Sequence, residues 1–266
     1  MNVLLPYFSA IFGLLLGSFA NVLILRLPKE ASIGGRSACV HCGHTLQPLD
    51  LVPLLSYVWL RGRCRYCKKR ISPRYFAIEL FVSCAFAASA WYSSPVTTVE
   101  FLQLGLWFVL IYVGVITFIV DFEHYIILDV VTGWGSGAVL LLLLAIDSAQ
   151  GTLGLTLASG AVKGVLGAVL GYALFYVLWY FSRGKLIGFG DVKFMLFMGL
   201  ALGLPLVFVG MLFAFWIGAL VSVPLLLFGS KTLKSKVPFG TFLVPALWVA
   251  AVWGDWFLVW YSGLLS

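Results

Sequence analysis

Eight apolar stretches, each close to the length of a membrane crossing, follow one another along this 266-residue chain. In hydrocarbon every backbone amide and carbonyl must find its partner inside the segment. A run of this kind therefore closes into an α-helix, and about 20 residues carry it across roughly 30 Å. The stretches cover approximately residues 3–25, 75–93, 101–120, 127–146, 158–181, 191–204, 205–229 and 241–262. The region 191–229 is too long for one crossing. Gly203-Leu204-Pro205 offers the break, because proline lacks an amide donor and disfavours helix in the residue before it, so the helix opened by Asp191 is expected to be short. The first run has no basic residue before it and no small-residue cleavage site after it, and it ends at Arg26. It is expected to be a retained helix rather than a signal peptide.

Composition points the same way. The chain is 62% hydrophobic and 10% charged, with a mean hydropathy of +1.06, where soluble domains carry roughly 25% charged residues. Its 22 Phe, 10 Trp and 11 Tyr exclude disorder. The expected fold class is an all-α polytopic membrane protein of about eight transmembrane helices, with membrane lipid as a partner.

Eight crossings put both termini on one side, and the bias of Lys and Arg decides which. With the termini outside, residues 26–74, 121–126, 182–190 and 230–240 and the adjoining helix ends face the cytoplasm. They hold 16 of the 17 Lys and Arg residues, Lys163 being the exception. The net charge of +7 is then a topogenic, solvated face. Basic and aromatic residues do not interleave as they do on a nucleic-acid platform, so no nucleic-acid partner is expected.

Segment 26–74 carries ten of those basic residues and four of the five cysteines. About 50 residues build too small a core to stand alone, so an internal staple is expected. Cys39-Val40-His41-Cys42 and Cys64-Arg65-Tyr66-Cys67 are two C-x-x-C knuckles 21 residues apart. Paired thiolates from tight turns suit tetrahedral zinc, and an all-cysteine shell has no open position for substrate, so the metal is expected to be structural. Two disulfides or redox dithiols are the competing reading, disfavoured in a reducing cytoplasm. His41 and His44 are close enough to substitute as ligands, but four cysteines already complete the shell. Cys84, inside the second helix, is expected to be a small core residue.

Chemistry must then lie elsewhere. Of ten acidic residues, Asp121, Glu123, Asp129 and Asp191 fall at the cytoplasmic ends of membrane helices. Ionisable groups at membrane depth are expensive and more often functional than decorative. Asp121 ends the third helix. Asp191 follows Gly188-Phe189-Gly190 and opens the sixth, where the helix dipole favours a carboxylate. Two carboxylates converging from different helices could share a proton, one serving as base and the other as acid towards water attacking a peptide carbonyl. Spacing alone leaves open the alternative that Asp191 caps its helix and Asp121 ends its own.

Five blocks in order carry a resemblance to a known family: GSFANVLILRLP at 17–28, the two C-x-x-C knuckles, DFEHYIILD at 121–129, GFGDVK at 188–193 and VPFGTFL at 237–243. Over nearly its whole length the chain resembles the bacterial type IV prepilin peptidases, membrane aspartic proteases of the G-x-G-D class. The resemblance implies that Asp121 and Asp191 are the catalytic pair, with Glu123 and His124 in the first block and Lys193 in the second. It implies cleavage of a short basic leader after a glycine in type IV prepilins or pseudopilins, on the cytoplasmic face of the bacterial inner membrane. It further implies N-methylation of the new terminus with S-adenosylmethionine, for which these residues show no binding fingerprint. At position 128 relatives usually carry proline where this chain has Leu128. Asp129 is the fallback catalytic partner, a little over two turns from Asp121 in a continuous helix. Thr241, often proline in relatives, is a milder departure.

On this reading residues 1–25 are a first transmembrane helix, 26–74 a cytoplasmic four-cysteine zinc insert held by Cys39, Cys42, Cys64 and Cys67, and 75–266 a membrane peptidase core. Two readings of other classes compete. One is an ion-coupled transporter with Asp121, Asp129 and Asp191 as a proton relay, which would call for inverted repeats that the sequence does not show. The other is a zinc-stapled scaffold without catalysis.

Overall fold

The computed structural model describes residues 3–227 and 238–265. These form nine α-helices, with no strand among the described residues beyond two isolated bridges, and they divide into two compact units, Met1–Glu100 and Phe101–Ser266.

The first unit pairs α1 (Leu5–Arg26) antiparallel with α3 (Pro73–Ser93), and the insert between them carries the one-turn-and-a-half α2 (Leu55–Trp59). Gly13 and Gly17 lie one turn apart on α1 and let the backbones touch. A Cβ on Gly13 would stand 2.8 Å from the Ser83 Cα, and one on Gly17 2.9 Å from the Glu79 Cα. Lipid tails give apolar side chains no reason to prefer each other, so small residues and interhelical hydrogen bonds hold such a pair. Ser83 Oγ donates to the Ala10 carbonyl at 2.9 Å, Asn21 Nδ2 to the Tyr75 carbonyl at 3.1 Å, and the Ser18 hydroxyl bonds the Glu79 carboxylate. Ser72 caps α3, accepting from the Arg74 N–H, and Pro73 occupies the first turn, where its missing donor costs nothing. Arg26 ends α1 and ties down the loop that follows, donating to the carbonyls of Ser32, Ile33 and Gly34 at 3.1, 3.1 and 2.6 Å. Cys84 is exposed on α3 rather than in a core, since a membrane helix can leave an apolar thiol on its outer face.

Helix α4 (Thr98–His124) leads into the second unit, which continues with α5 (Asp129–Gln150), α6 (Gly160–Ser182), α7 (Phe189–Leu202), α8 (Leu206–Leu227) and α9 (Gly240–Leu265). All eight predicted stretches are helical, with ends shifted by a few residues. Among the described residues seven helices are long and apolar enough to cross a membrane; α7, with 14 residues, is not, since it measures about 21 Å. It nevertheless keeps pace with α6. Trp179 and Phe189 meet at one end with ring centroids 5.0 Å apart, and at the other the Leu204 N–H donates to the Lys163 carbonyl at 3.2 Å. The turn at Gly203–Pro205 thus carries the chain alongside the start of α6. Of the predicted basic segment 230–240, residues 230–237 lie outside the described residues.

Helix α7 is the core of this unit, packed against α5, α6, α8 and α9, with Val192, Phe194, Met195, Phe197 and Met198 fully buried. Its approach to α6 is a backbone contact: a Cβ on Gly199 would lie 2.5 Å from the Ala168 Cα. The amino end of α6 is fastened by Asp147 of α5, which is 1% exposed. Its carboxylate accepts from Ser159 Oγ at 2.6 Å, from the backbone of Gly160 and Ala161 at 2.8 and 2.9 Å, and from Thr152 Oγ1 at 3.2 Å. A buried carboxylate is tolerable here because four donors and a helix amino terminus surround it.

Candidate functional sites: a thiol cluster and a carboxylate pair

In the first unit the two knuckles have one local structure used twice. Cys39 N–H donates to the His44 carbonyl at 3.0 Å and Cys64 N–H to the Lys69 carbonyl at 2.9 Å. The turns pass through Gly43 and Lys68 at φ 70° and 59°. The flanking residues pair as Ala38 with Thr45 and Arg63 with Arg70. The four thiol sulfurs all lie within 4.8 Å of one another, with Cys39 Sγ to Cys67 Sγ at 3.9 Å. A disulfide would bring sulfurs to about 2 Å, whereas zinc–sulfur bonds of about 2.3 Å in a tetrahedron set sulfurs about 3.8 Å apart. The cluster therefore fits a tetrahedral metal.

The thiols divide their protons unequally. Burial works to raise the Cys39 thiol, but the backbone of His41 and Cys42 and the thiols of Cys64 and Cys42 outweigh it and hold it down at about 6. At Cys67 the Lys69 backbone favours the thiolate, yet burial and the three other thiols push it up to about 11. A divalent cation would replace those shared protons. His41 meets the Arg70 carbonyl at 3.3 Å, and the His44 ring packs tilted on Tyr66 with centroids 3.6 Å apart, so neither belongs to the cluster.

In the second unit one end of the bundle collects the carboxylates. Asp121, near the carboxyl end of α4, is 4% exposed, and Asp191, third residue of α7, is 7% exposed. A carboxylate at the end of its own helix opposes that helix's dipole. Asp121 is compensated by a different helix, because the Thr241 N–H in the first turn of α9 donates to its Oδ2 at 2.9 Å. Asp191 folds back on its own turn, its Oδ2 accepting from the Gly188 N–H at 3.0 Å. Both carboxylates thus sit at helix amino termini.

Two glycines and one isoleucine bring them together. A Cβ on Gly240 would lie 2.7 Å from Asp121 Oδ2 and 3.1 Å from Ile127 Cδ1, and one on Gly190 would lie 3.2 Å from Ile127 Cβ. Ile127 therefore touches the glycine beside Asp191 and the glycine against Asp121. The two carboxylates are close enough for the charge of Asp121 to act on Asp191.

Asp129 is placed differently. The continuous helix assumed between Asp121 and Asp129 does not exist. The chain turns at Tyr125, φ 58°, and α5 starts afresh at Asp129 after an extended Leu128. Asp129 is exposed and pairs with Lys193 Nζ at 2.5 Å, and Lys193 in turn lies over the Phe189 ring. Glu123 and His124 are exposed neighbours, 3.9 Å apart. Sequence reasoning missed Ile127 and the tight fit of Gly240. The only signal for either was membership of the blocks DFEHYIILD and VPFGTFL, whose Val237 lies outside the described residues.

Comparison with known proteins agrees with both halves. The model of the bacterial peptidase A24 N-terminal domain matches residues 11–93, and that of the type IV leader peptidase family matches residues 108–223. A protein named prepilin leader peptidase/N-methyltransferase in Aeromonas hydrophila is 32% identical, over 96% of this chain and 93% of its own. Proteins of the same name in Pseudomonas putida (32% identical, 93% of this chain and 90% of the relative) and Bacillus subtilis (28%, 94% and 95%) align over similar lengths. No solved structure matches the chain. With its helical membrane bundle, its paired thiol knuckles and a relative of this identity along almost all of its length, the chain belongs to the type IV leader peptidase family.

Proposed function

We propose that this protein is a membrane aspartic endopeptidase that removes the leader from type IV prepilins or pseudopilins, with Asp121 and Asp191 as the catalytic pair. The observation that carries the reading is the convergence of two buried carboxylates from α4 and α7 at one end of the bundle. The backbone of Thr241 and Gly240 bonds Asp121 and that of Gly188 bonds Asp191, which orients each carboxylate and leaves it lone pairs for the proton and the water. The ionised member accepts a proton from water as the oxygen attacks the scissile carbonyl. The protonated member donates to the carbonyl oxygen, and the tetrahedral carbon then expels the amine, which takes up a proton. A prepilin with a basic leader before an apolar helix places its scissile bond at a membrane boundary, and the acidic group Asp121, Glu123, Asp129 and Asp191 complements that leader.

The four cysteines hold a structural zinc on this reading, and the site faces the cytoplasm across the bacterial inner membrane. N-methylation of the new amino terminus follows cleavage. S-adenosylmethionine, when bound, would supply the methyl group for that amine and leave as S-adenosylhomocysteine. A reconstituted assay with a precursor pilin, scoring cleavage and methyl transfer separately, tests the reading; no cleavage by intact, metal-loaded protein would overturn it. Reporter fusions test the orientation, with the 147–157 loop and both termini expected outside.

A further inference from the structure

The first unit holds a half-open cavity of about 950 Å3 lined by the paired ends of α1 and α3 and by the knuckles. Its membrane-side wall is polar. Asn21 is 5% exposed, and its Nδ2 is committed to the Tyr75 carbonyl, which fixes the amide orientation and leaves Oδ1 buried without a partner. A buried acceptor left unmade is costly, so Asn21 is built for a donor that is not part of the chain. Glu79, one turn beyond Tyr75 on α3, offers a carboxylate in a largely apolar membrane helix. It accepts the Leu54 N–H at 2.8 Å, holding Leu54 at φ 59°, a conformation a branched side chain resists. The insert is thereby pinned to the membrane helix at the cavity's edge. Tyr57 and Phe76, with ring centroids 5.3 Å apart, supply an aromatic surface, while Arg61 and Arg70 line the knuckle side.

We propose that this cavity is the S-adenosylmethionine site: the cationic amino acid and sulfonium end meets Asn21 Oδ1 and Glu79, the carboxylate meets Arg61 and Arg70, and the adenine lies on Tyr57 and Phe76. The inference rests on the methylation reading above. The three chemistries of that molecule (cation, carboxylate, purine) match three walls of one cavity, and the volume falls in the range of about 300–1,000 Å3 for small-molecule sites. A phosphoethanolamine headgroup would share the first two contacts but leave the aromatic pair without a role.

The test uses full-length, metal-loaded protein in detergent. Equilibrium dialysis with labelled S-adenosylmethionine, together with photo-crosslinking and peptide mapping, should place the label in residues 57–79. Glu79→Gln keeps an acceptor for Leu54 but removes the charge. It should weaken S-adenosylmethionine by about tenfold and the uncharged thioether S-adenosylhomocysteine by less. Asn21→Leu should weaken both, again by about tenfold. Monodispersity and zinc content report whether each variant has folded, and a poorly folded Asn21→Leu is replaced by Asn21→Ser. Label mapping to residues 101–266, Glu79→Gln weakening both compounds equally, or displacement of the label by phosphoethanolamine would overturn the assignment. Wild-type protein that cleaves and methylates while failing these tests leaves the functional reading standing and sinks only the site.

Discussion

Gly240 leaves room for nothing between itself and Asp121: a methyl there would press to 2.7 Å on the same Oδ2 that accepts the Thr241 N–H. Helix α9 therefore positions a carboxylate that belongs to α4, through a residue with no side chain. Gly240→Ala should shift Asp121 by some tenths of an ångström or more and lower leader cleavage by about 100-fold, in line with the cost of small misplacements. The bundle should survive, as judged by thermal unfolding in detergent. Cleavage within twofold of wild type would show that Asp121 does not need this contact.

Asp121→Asn and Asp191→Asn preserve size while removing the ionisable group. Each alone should lower turnover by about 1,000-fold or more, and the double variant should be no worse than either, as for residues that act as a unit. The pH profile of cleavage should be bell-shaped and should report the pair rather than either residue. Full cleavage by Asp191→Asn would end the aspartic-protease mechanism.

Asp129 pairs with Lys193 at the surface, and exposed pairs contribute about 0–1 kcal/mol. Asp129→Asn should therefore change cleavage by no more than about fivefold, in line with that figure. Abolished cleavage in this variant alongside an active Asp121→Asn would transfer the catalytic role to Asp129.

Elemental analysis should find about one zinc per chain. Stripping it, or replacing Cys64 by Ser, should first open the insert to protease between residues 39 and 67, with the carboxylate bundle unfolding at an unchanged temperature. Four reactive thiols in freshly purified protein without metal would remove the staple from the account.

Asp147→Ala strands the amino end of α6 and should destabilise the second unit by about 2–4 kcal/mol, the scale for losing several bonds to a buried charge. Denaturant or thermal unfolding reads this directly. Asp147 is remote in sequence from both catalytic blocks, so cleavage at low temperature should persist; an unchanged midpoint would mean that the four bonds contribute nothing net.

The apolar runs by themselves determined eight helices, because a chain in hydrocarbon can satisfy its amides only within each segment. The C-x-x-C spacing likewise determined the knuckles, whose turns are closed by bonds five residues apart. The short helix after Asp191 was legible from Gly203 and Pro205. Only the tertiary structure decided which acid meets which. Asp121 and Asp129 share one motif, yet the chain turns at Tyr125 and sends Asp129 to Lys193, while Asp121 meets Asp191 from a helix 70 residues on. The orphaned Asn21 amide and the donor that α9 brings to Asp121 were equally hidden. Such contacts depend on how closely glycine faces let helices approach, a property of pairs of helices that neither helix carries in its own residues.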